Sequence, residues 1–190
     1  KTIKTITPDD ADGWFRMGRI YKILKKPDLA IQEFNTAWQK SPDSYSLLAE
    51  LIDLEIASGK SANARKRLQE ILLNQPDHAT AHKFIAMTYL AEKSLDKAIQ
   101  ELELHIKLRP NDSASYQQLA KIELLKKDPK SAVNYYLKGI ENLPNDQQLM
   151  LGLANIYEQL LQYDNAIKSY KRILDINPKN IIAINNLAMI

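Results

Sequence analysis

The residues that could carry chemistry are few in this sequence, and their spacing favours no reaction. It has three histidines and no cysteine, which excludes disulfide bonds, thiolate metal ligands and a cysteine nucleophile. It contains no glycine-rich phosphate loop, HExxH pair or G-x-S-x-G turn. We expect His82 and His105 to be packed residues with satisfied polar contacts, since metal ligands need convergent spacing. The sequence therefore predicts a protein that is not an enzyme, with no metal site and no cofactor.

Glu55 and Glu123 are the carboxylates that come nearest to an acid–base pair, because they share one position of the repeat described below, two repeats apart. Packed helices are about 10 Å apart, so we expect roughly 20 Å between the two side chains. That distance is too long for shared acid–base catalysis. We expect each glutamate instead to form a cap or a bridge at an edge of the helix stack.

The charge of the chain is small and evenly spread. Lys and Arg exceed Asp and Glu by 26 − 23 = 3. Nucleic-acid-binding proteins concentrate basic residues on one stripe, so we expect no nucleic-acid partner. No apolar run reaches the roughly 18 to 20 residues of a membrane span, so we expect no direct membrane insertion. The first residues do not form a signal peptide, and the compartment stays open between cytoplasm and bacterial periplasm or envelope. The frequent Gln, Asn, Lys and Ile favour a bacterial source.

Recurrent prolines show how the chain must position these residues. Six of them stand 34 residues apart, at Pro8, Pro42, Pro76, Pro110, Pro144 and Pro178. Helix-breaking residues at such an interval predict stacked repeats, in which each unit buries its apolar face against its neighbours. We expect residues 1–190 to form a single array. It comprises the end of a preceding repeat (1–10), full repeats at 11–44, 45–78, 79–112, 113–146 and 147–180, and the first helix of a following repeat (181–190).

Each predicted repeat contains two helices. Positions 4, 7, 8 and 11 share one face at 100° per residue and are mostly apolar, which predicts a first helix at about positions 1–14. Position 20 is alanine in all five repeats, so we expect the second helix, at about positions 18–30, to approach the first closely. Pro27 and Pro129 at position 17 fit a first helical turn. Polar residues after the recurrent prolines are expected to cap the next helix: Asp9, Asp10, Asp43, Ser44, Asp77, Asn111, Asp112, Asn145, Asp146 and Asn180.

These residues carry a family resemblance. The first repeat has Trp14, Gly18, Tyr21, Ala30, Phe34, Ala37 and Pro42 at positions 4, 8, 11, 20, 24, 27 and 32. This pattern over 34 residues resembles the tetratricopeptide repeat. The resemblance implies an all-α, right-handed superhelical solenoid of antiparallel helix pairs, with five full repeats and partial repeats at both ends. Ile52, Glu55 and Glu123 depart from the pattern, which puts the local curvature in question.

A strip of side chains at positions 2, 5, 6, 9, 12 and 13 lies about half a turn from the core positions of each first helix. In tetratricopeptide proteins this strip resembles the inner wall of a concave groove that holds a peptide or partner segment. Phe15, Phe84 and Met87 are expected to be exposed apolar anchors in it. The expected groove residues are Phe15, Arg16, Arg19, Glu50, Asp53, Lys83, Phe84, Met87, Gln117, Gln118, Lys121, Leu151, Asn155 and Asn186.

The resemblance implies a protein–protein interaction scaffold that binds a partner peptide or helix in this groove. The carboxylate clamp of chaperone-binding members is disfavoured, since Phe15, Arg19 and Glu50 stand at three of its positions. Two alternatives stay open. The apolar residues of 181–190 would support self-assembly into a homo-oligomer through exposed array ends, and the repeats would equally suit a substrate-recruiting arm of a larger multidomain protein.

Overall fold

A computed structural model describes residues 10–190, which are helical throughout apart from the connecting turns, with no strand among them. The predicted end of a preceding repeat, including Pro8 and Asp9, lies outside the described residues. Eleven helices occur in residues 10–190: α1 (Ala11–Ile23), α2 (Pro27–Lys40), α3 (Tyr45–Ala57), α4 (Ser61–Asn74), α5 (Ala79–Ala91), α6 (Leu95–Leu108), α7 (Ser113–Leu125), α8 (Pro129–Asn142), α9 (Gln147–Gln159), α10 (Tyr163–Ile176) and α11 (Ile181–Met189).

The helices recur with the period of the prolines. Helices α1, α3, α5, α7 and α9 have 13 residues each, and α2, α4, α6, α8 and α10 have 14. The all-helical prediction is confirmed, although each second helix begins one residue earlier than expected, at position 17. Pro27 and Pro129 are the first residues of α2 and α8, as predicted. Proline is tolerated there because a backbone N–H in the first turn of a helix has no partner within the helix, so its absence costs no hydrogen bond.

The turn inside each helix pair has one backbone signature. Lys25, Lys93, Lys127 and Leu161 adopt left-handed φ values of 55 to 62°, and Gly59 has a φ of 73°. The following N–H then donates to a carbonyl five residues back, as from Lys26 to Tyr21 at 2.9 Å. This left-handed residue ends the first helix and turns the chain into the second.

The caps follow the prediction in part. Asp10, Asp146 and Asn180 accept backbone N–H groups at the starts of α1, α9 and α11. Asp77 does not cap α5, because His78 follows it at the N-cap and its Nδ1 accepts the Ala81 N–H at 3.1 Å. The described chain divides into two compact units, one ending at Ser94 and one comprising Leu95–Ile190. The single array and its repeat boundaries stay predictions.

In the first unit, α1 packs on α2, α2 on α3, and α4 on both α3 and α5. Ala30, Phe34 and Leu51 are fully buried in its core. A Cβ at Gly18 of α1 would lie 2.4 Å from the Phe34 ring, so glycine lets these two helices come as close as the small-residue pattern predicted.

In the second unit, α7 packs on α6, α8 and α9, α9 packs on α8 and α10, and α10 packs on α11. Tyr116, Leu149 and Tyr170 are among its fully buried side chains. Gly152 allows a similarly close approach of α9 to α8, since a Cβ on it would lie 2.4 Å from the Tyr136 ring.

Candidate partner-binding faces

The first unit carries expected groove residues on its first helices α1, α3 and α5. We call the accessible ones, with their neighbour Lys22, the charged face: Phe15, Arg16, Arg19, Lys22, Glu50, Asp53, Lys83 and Met87. Arg16, Arg19, Lys22 and Asp53 are exposed, and the other four are half-buried. An exposed helix surface with both signs of charge can set the orientation of a charged partner.

Contacts between side chains hold several residues of the charged face in place. Lys22 Nζ lies 2.5 Å from Glu50 Oε2 and thereby joins α1 to α3. The Phe15 ring packs on the Phe34 ring at 5.6 Å between centroids, and the Arg19 guanidinium lies 6.0 Å from the Phe15 centroid. Desolvation by the surrounding protein raises the pKa of the Asp53 carboxyl, although Lys22 acts to lower it. An apolar ring, cations and carboxylates are thus available side by side.

Two expected groove residues are not accessible. Phe84 is 6% exposed and Leu151 is 7% exposed, so the expectation that Phe84 is an exposed anchor is wrong. The Tyr45 ring stacks on Phe84 with centroids 5.9 Å apart, and Phe84 packs in one cluster with Leu48 and Ile85. Leu151 is buried because α9 packs against three other helices of its unit. Met87 is half-buried against the same cluster as Phe84, so it offers part of its surface.

The second unit presents a different set of groups on α7, α9 and α11. We call Gln117, Gln118, Lys121, Asn155 and Asn186 the amide face, because four of its five side chains are carboxamides. Lys121 and Asn155 are exposed, and the other three are half-buried. A carboxamide both donates and accepts hydrogen bonds, which suits it to the N–H and C=O groups of an extended partner chain.

A hydrogen-bond network that the sequence reading missed supports the amide face. The buried Tyr170 hydroxyl accepts from Asn186 Nδ2 at 2.7 Å and donates to Glu158 Oε1 at 2.9 Å. Burial raises the pKa of Tyr170 to about 12, so the hydroxyl keeps the proton that it donates. The signal was available in the sequence, because a tyrosine at a buried position needs a partner for its hydroxyl group.

The residues first considered for chemistry have structural contacts. His82 Nε2 lies 3.2 Å from the Pro76 carbonyl, and His105 Nε2 lies 2.7 Å from Asp112 Oδ2, which confirms that both histidines are packed with polar contacts. Asp112 is thereby used by His105 and does not cap α7. Across residues 10–190, no three His, Asp or Glu side chains come together as a metal site would require.

The two glutamates are held by basic residues. Glu55 is 2% exposed, and its Oε1 lies 3.3 Å from the Arg67 guanidinium, whereas its Oε2 has no hydrogen-bond partner among the described residues. Glu123 lies 3.5 Å from Lys126. The predicted bridges are present, but Glu55 and Glu123, the latter 7% exposed, are both buried rather than placed at an exposed edge. Burial raises the pKa of Glu55, and Arg67 partly offsets that rise.

The described helices include none with the length and apolar character needed to cross a bilayer. Residues 5–116 match the family described as the cytochrome c-type biogenesis protein H TPR domain. Residues 113–146 and 149–180 each match the tetratricopeptide repeat. The three matches, which together cover residues 5–146 and 149–180, therefore agree on one kind of repeat.

Known proteins share this repeat with the chain. It is 27% identical over 187 residues to protein O-mannosyl-transferase TMTC3 from Homo sapiens, covering 97% of this chain and 18% of that protein. It is 34% identical over 112 residues to the BBSome complex member BBS4 from Bos taurus, covering 59% of this chain and 21% of that protein. The solved structure of MamA has the same fold, with a TM-score of 0.63 and 20% identity over 86% of this chain and 95% of that one. The chain thus spans about a fifth of the length of these curated relatives.

Proposed function

Because the chain belongs to the tetratricopeptide-repeat family, a family of protein–protein interaction scaffolds, we propose that its first-helix faces bind a segment of a partner protein. The segment is extended or helical, and binding is the whole activity of this part of the chain. The proposal rests above all on the charged face, where the Phe15 ring, Arg19 and Asp53 lie on neighbouring helices. That the two faces form one continuous groove remains a prediction from the sequence.

The mechanism is surface complementarity. On the charged face, Arg16, Arg19 and Asp53 attract and orient opposite charges of the partner, while Phe15 and Met87 offer apolar contact. On the amide face, Gln117, Gln118 and Asn155 supply hydrogen bonds. Because the Tyr170 hydroxyl accepts from Asn186, that amide is held in one position before a partner arrives, which lowers the entropy cost of binding.

A peptide selection tests the proposal and does not require that the partner be identified. Peptides selected from a random library for binding to the chain are titrated by calorimetry against two variants. The first variant is Arg19→Ala/Asp53→Ala/Lys83→Ala on the charged face. The second, Lys66→Ala/Gln69→Ala, changes two exposed residues of α4 and alters the net charge by the same single unit.

The charged-face variant should weaken peptides that bind this unit about tenfold or more, because it removes three contacts near the centre of the face. The α4 variant should leave the dissociation constant unchanged. Equal binding by the wild type and the charged-face variant, together with a loss in the α4 variant, would assign the interaction to another surface.

A second candidate follows from the length of the relatives. TMTC3 is named as a mannosyl-transferase, and the matched repeats are 18% of it, so repeats of this kind occur together with catalytic parts in one protein. We propose as the alternative that this chain recruits a protein substrate for a catalytic domain of a longer protein. Sequencing the complete reading frame tests this, and a frame that encodes repeats alone would rule it out.

A further inference from the structure

A cavity of the first unit is lined by residues that belong to neither proposed face. It has a volume of about 540 Å³ and is lined by residues of α2 and α4, by the start of α3, and by the turns that precede α3 and α5. No residue of the charged face is among its lining residues in the described part of the chain. Its volume is within the range of about 300 to 1,000 Å³ that is typical of ligand sites.

Two aromatic side chains line the cavity. Tyr45 is 59% exposed, and its ring stacks on the buried Phe84 ring at 5.9 Å, tilted by 24°. Trp38 is half-buried and packs against both hydrophobic clusters of the unit. Both rings are therefore held by the core while they border an open cavity. Rings fixed in this way attract cations to their faces.

The charges around the cavity also favour a cation. Asp43 and Glu70 are exposed carboxylates in its lining. Arg67 lines it too, but the guanidinium donates to Asn35 Oδ1 at 2.6 Å and is paired with the buried Glu55 at 3.3 Å. Because Glu55 balances the charge of Arg67, the carboxylates of Asp43 and Glu70 determine the sign of the potential in the cavity.

From this arrangement we propose that the cavity binds a lysine or arginine side chain of a partner protein, as a site separate from the charged face. The aliphatic part of the side chain lies against Trp38 and Tyr45, and its cationic end faces Asp43 and Glu70. A partner that carries a basic residue outside its main binding segment would thus contact this unit at two places.

The chain provides its own probe, because Trp38 is one of two tryptophans. In a Trp14→Phe variant, fluorescence reports on Trp38 alone. Capped Gly-Lys-Gly peptide is titrated into this variant, alongside peptides with norleucine or glutamate in place of lysine. Amide chemical shifts of Asp43, Glu70 and His78 are followed in parallel. The lysine peptide should give a saturable change with a millimolar dissociation constant, and the norleucine peptide should bind at least about threefold more weakly.

Paired variants separate the site from general electrostatics. Asp43→Asn/Glu70→Gln should weaken the lysine peptide about fivefold or more, and Tyr45→Ala about two- to fivefold. Asp12→Asn/Asp28→Asn removes the same charge from exposed positions outside the cavity and both faces, and should leave the dissociation constant within about twofold. Circular dichroism spectra confirm that each variant is folded.

Four results would overturn the proposal. The first is norleucine binding as tight as lysine binding, which indicates an apolar groove. The second is preferred binding of the glutamate peptide, which indicates an anion site at Arg67. The third is an equal loss of affinity in both double variants. The fourth is the absence of a saturable change in both fluorescence and chemical shifts.

Discussion

The two units present different chemistry at the same positions of their first helices. Positions 6 and 9 hold Arg16 and Arg19 in α1, and Glu50 and Asp53 in α3, within the first unit. In the second unit the side chains are mainly carboxamides, with Lys121 as the charged residue of the amide face. Charges act over a Debye length of about 8 Å at physiological salt, whereas carboxamides act at hydrogen-bond distance. The fold is thus repeated while the kind of recognition changes along the chain.

One buried polar group of each unit, Glu55 in the first and Tyr170 in the second, is held in a different way. In the first unit the carboxylate of Glu55 faces Arg67, and its second oxygen has no hydrogen-bond partner among the described residues. In the second unit the Tyr170 hydroxyl both donates and accepts. A buried ion pair that loses one partner leaves a charge without compensation, whereas a neutral hydroxyl leaves a smaller deficit. The Glu55 site of the first unit is therefore expected to be more sensitive to a single substitution than the Tyr170 site of the second.

The largest expected effect is in the first unit. Arg67→Met should lower the free energy of unfolding by about 3 kcal/mol, because it leaves the Glu55 carboxylate buried and unpaired. Urea denaturation followed by circular dichroism measures this loss. The double variant Arg67→Met/Glu55→Leu should recover most of it, and a single variant as stable as the wild type would contradict the account.

The corresponding change in the second unit should be milder. Tyr170→Phe removes the hydroxyl between Glu158 and Asn186 and should cost about 1 to 1.5 kcal/mol in the same denaturation experiment. The control is Tyr163→Phe, which alters an exposed ring and should change the stability little. A loss for Tyr170→Phe as large as that for Arg67→Met would remove the contrast between the two units.

Acid should affect the wild type and Glu55→Gln differently. Burial raises the pKa of Glu55 above its usual value of 4.5, so the folded state holds this proton more tightly than the unfolded chain does. Stability linked to this group is therefore gained as the pH falls through the raised pKa and lost as the pH rises through it. Relative to Glu55→Gln, the wild type should therefore gain stability as the pH falls through the raised pKa towards 4.5. Parallel pH profiles of the two proteins would refute a raised pKa.

The smallest expected effect is common to both units. Leu161 and Lys25 adopt left-handed φ values of 57 and 55°, which cost a residue with a side chain more than glycine. Leu161→Gly and Lys25→Gly should each raise the free energy of unfolding by about 0.5 to 1 kcal/mol. Urea denaturation measures this gain as a higher unfolding midpoint. Gly59→Ala, at a φ of 73°, is the matched reverse change and should lower it. A lower free energy of unfolding in the two glycine variants, with a higher one in Gly59→Ala, would show that these turns are not strained.

Much of the fold followed from the sequence because each signal was local. Pro27 fixes a helix start within its own turn, and the alanines at position 20 are all fully buried, as a close helix contact requires. Capping was predicted less well, since Asp77 and His78 compete for one N-cap and both have suitable side chains.

The binding faces were harder to predict. A helix projection shows which way Phe84 points from α5, but not that Tyr45, 39 positions earlier in the sequence, stacks over it. Likewise, the contacts of Tyr170 with Glu158 and Asn186 join three helices, and no pattern within one helix contains them. The exposure and contacts of side chains that touch a neighbouring helix could therefore not be predicted from the sequence.

The salt dependence of peptide binding tests most directly whether the two faces recognise partners differently. Selected peptides are titrated between about 0.05 and 0.5 M NaCl against the wild type, Arg16→Ala/Arg19→Ala/Asp53→Ala and Gln118→Ala/Asn155→Ala. The charged-face variant should lose both affinity and salt dependence for peptides that bind the first unit. The amide-face variant should lose affinity for the others at every salt concentration. Unchanged binding by both variants would contradict the account.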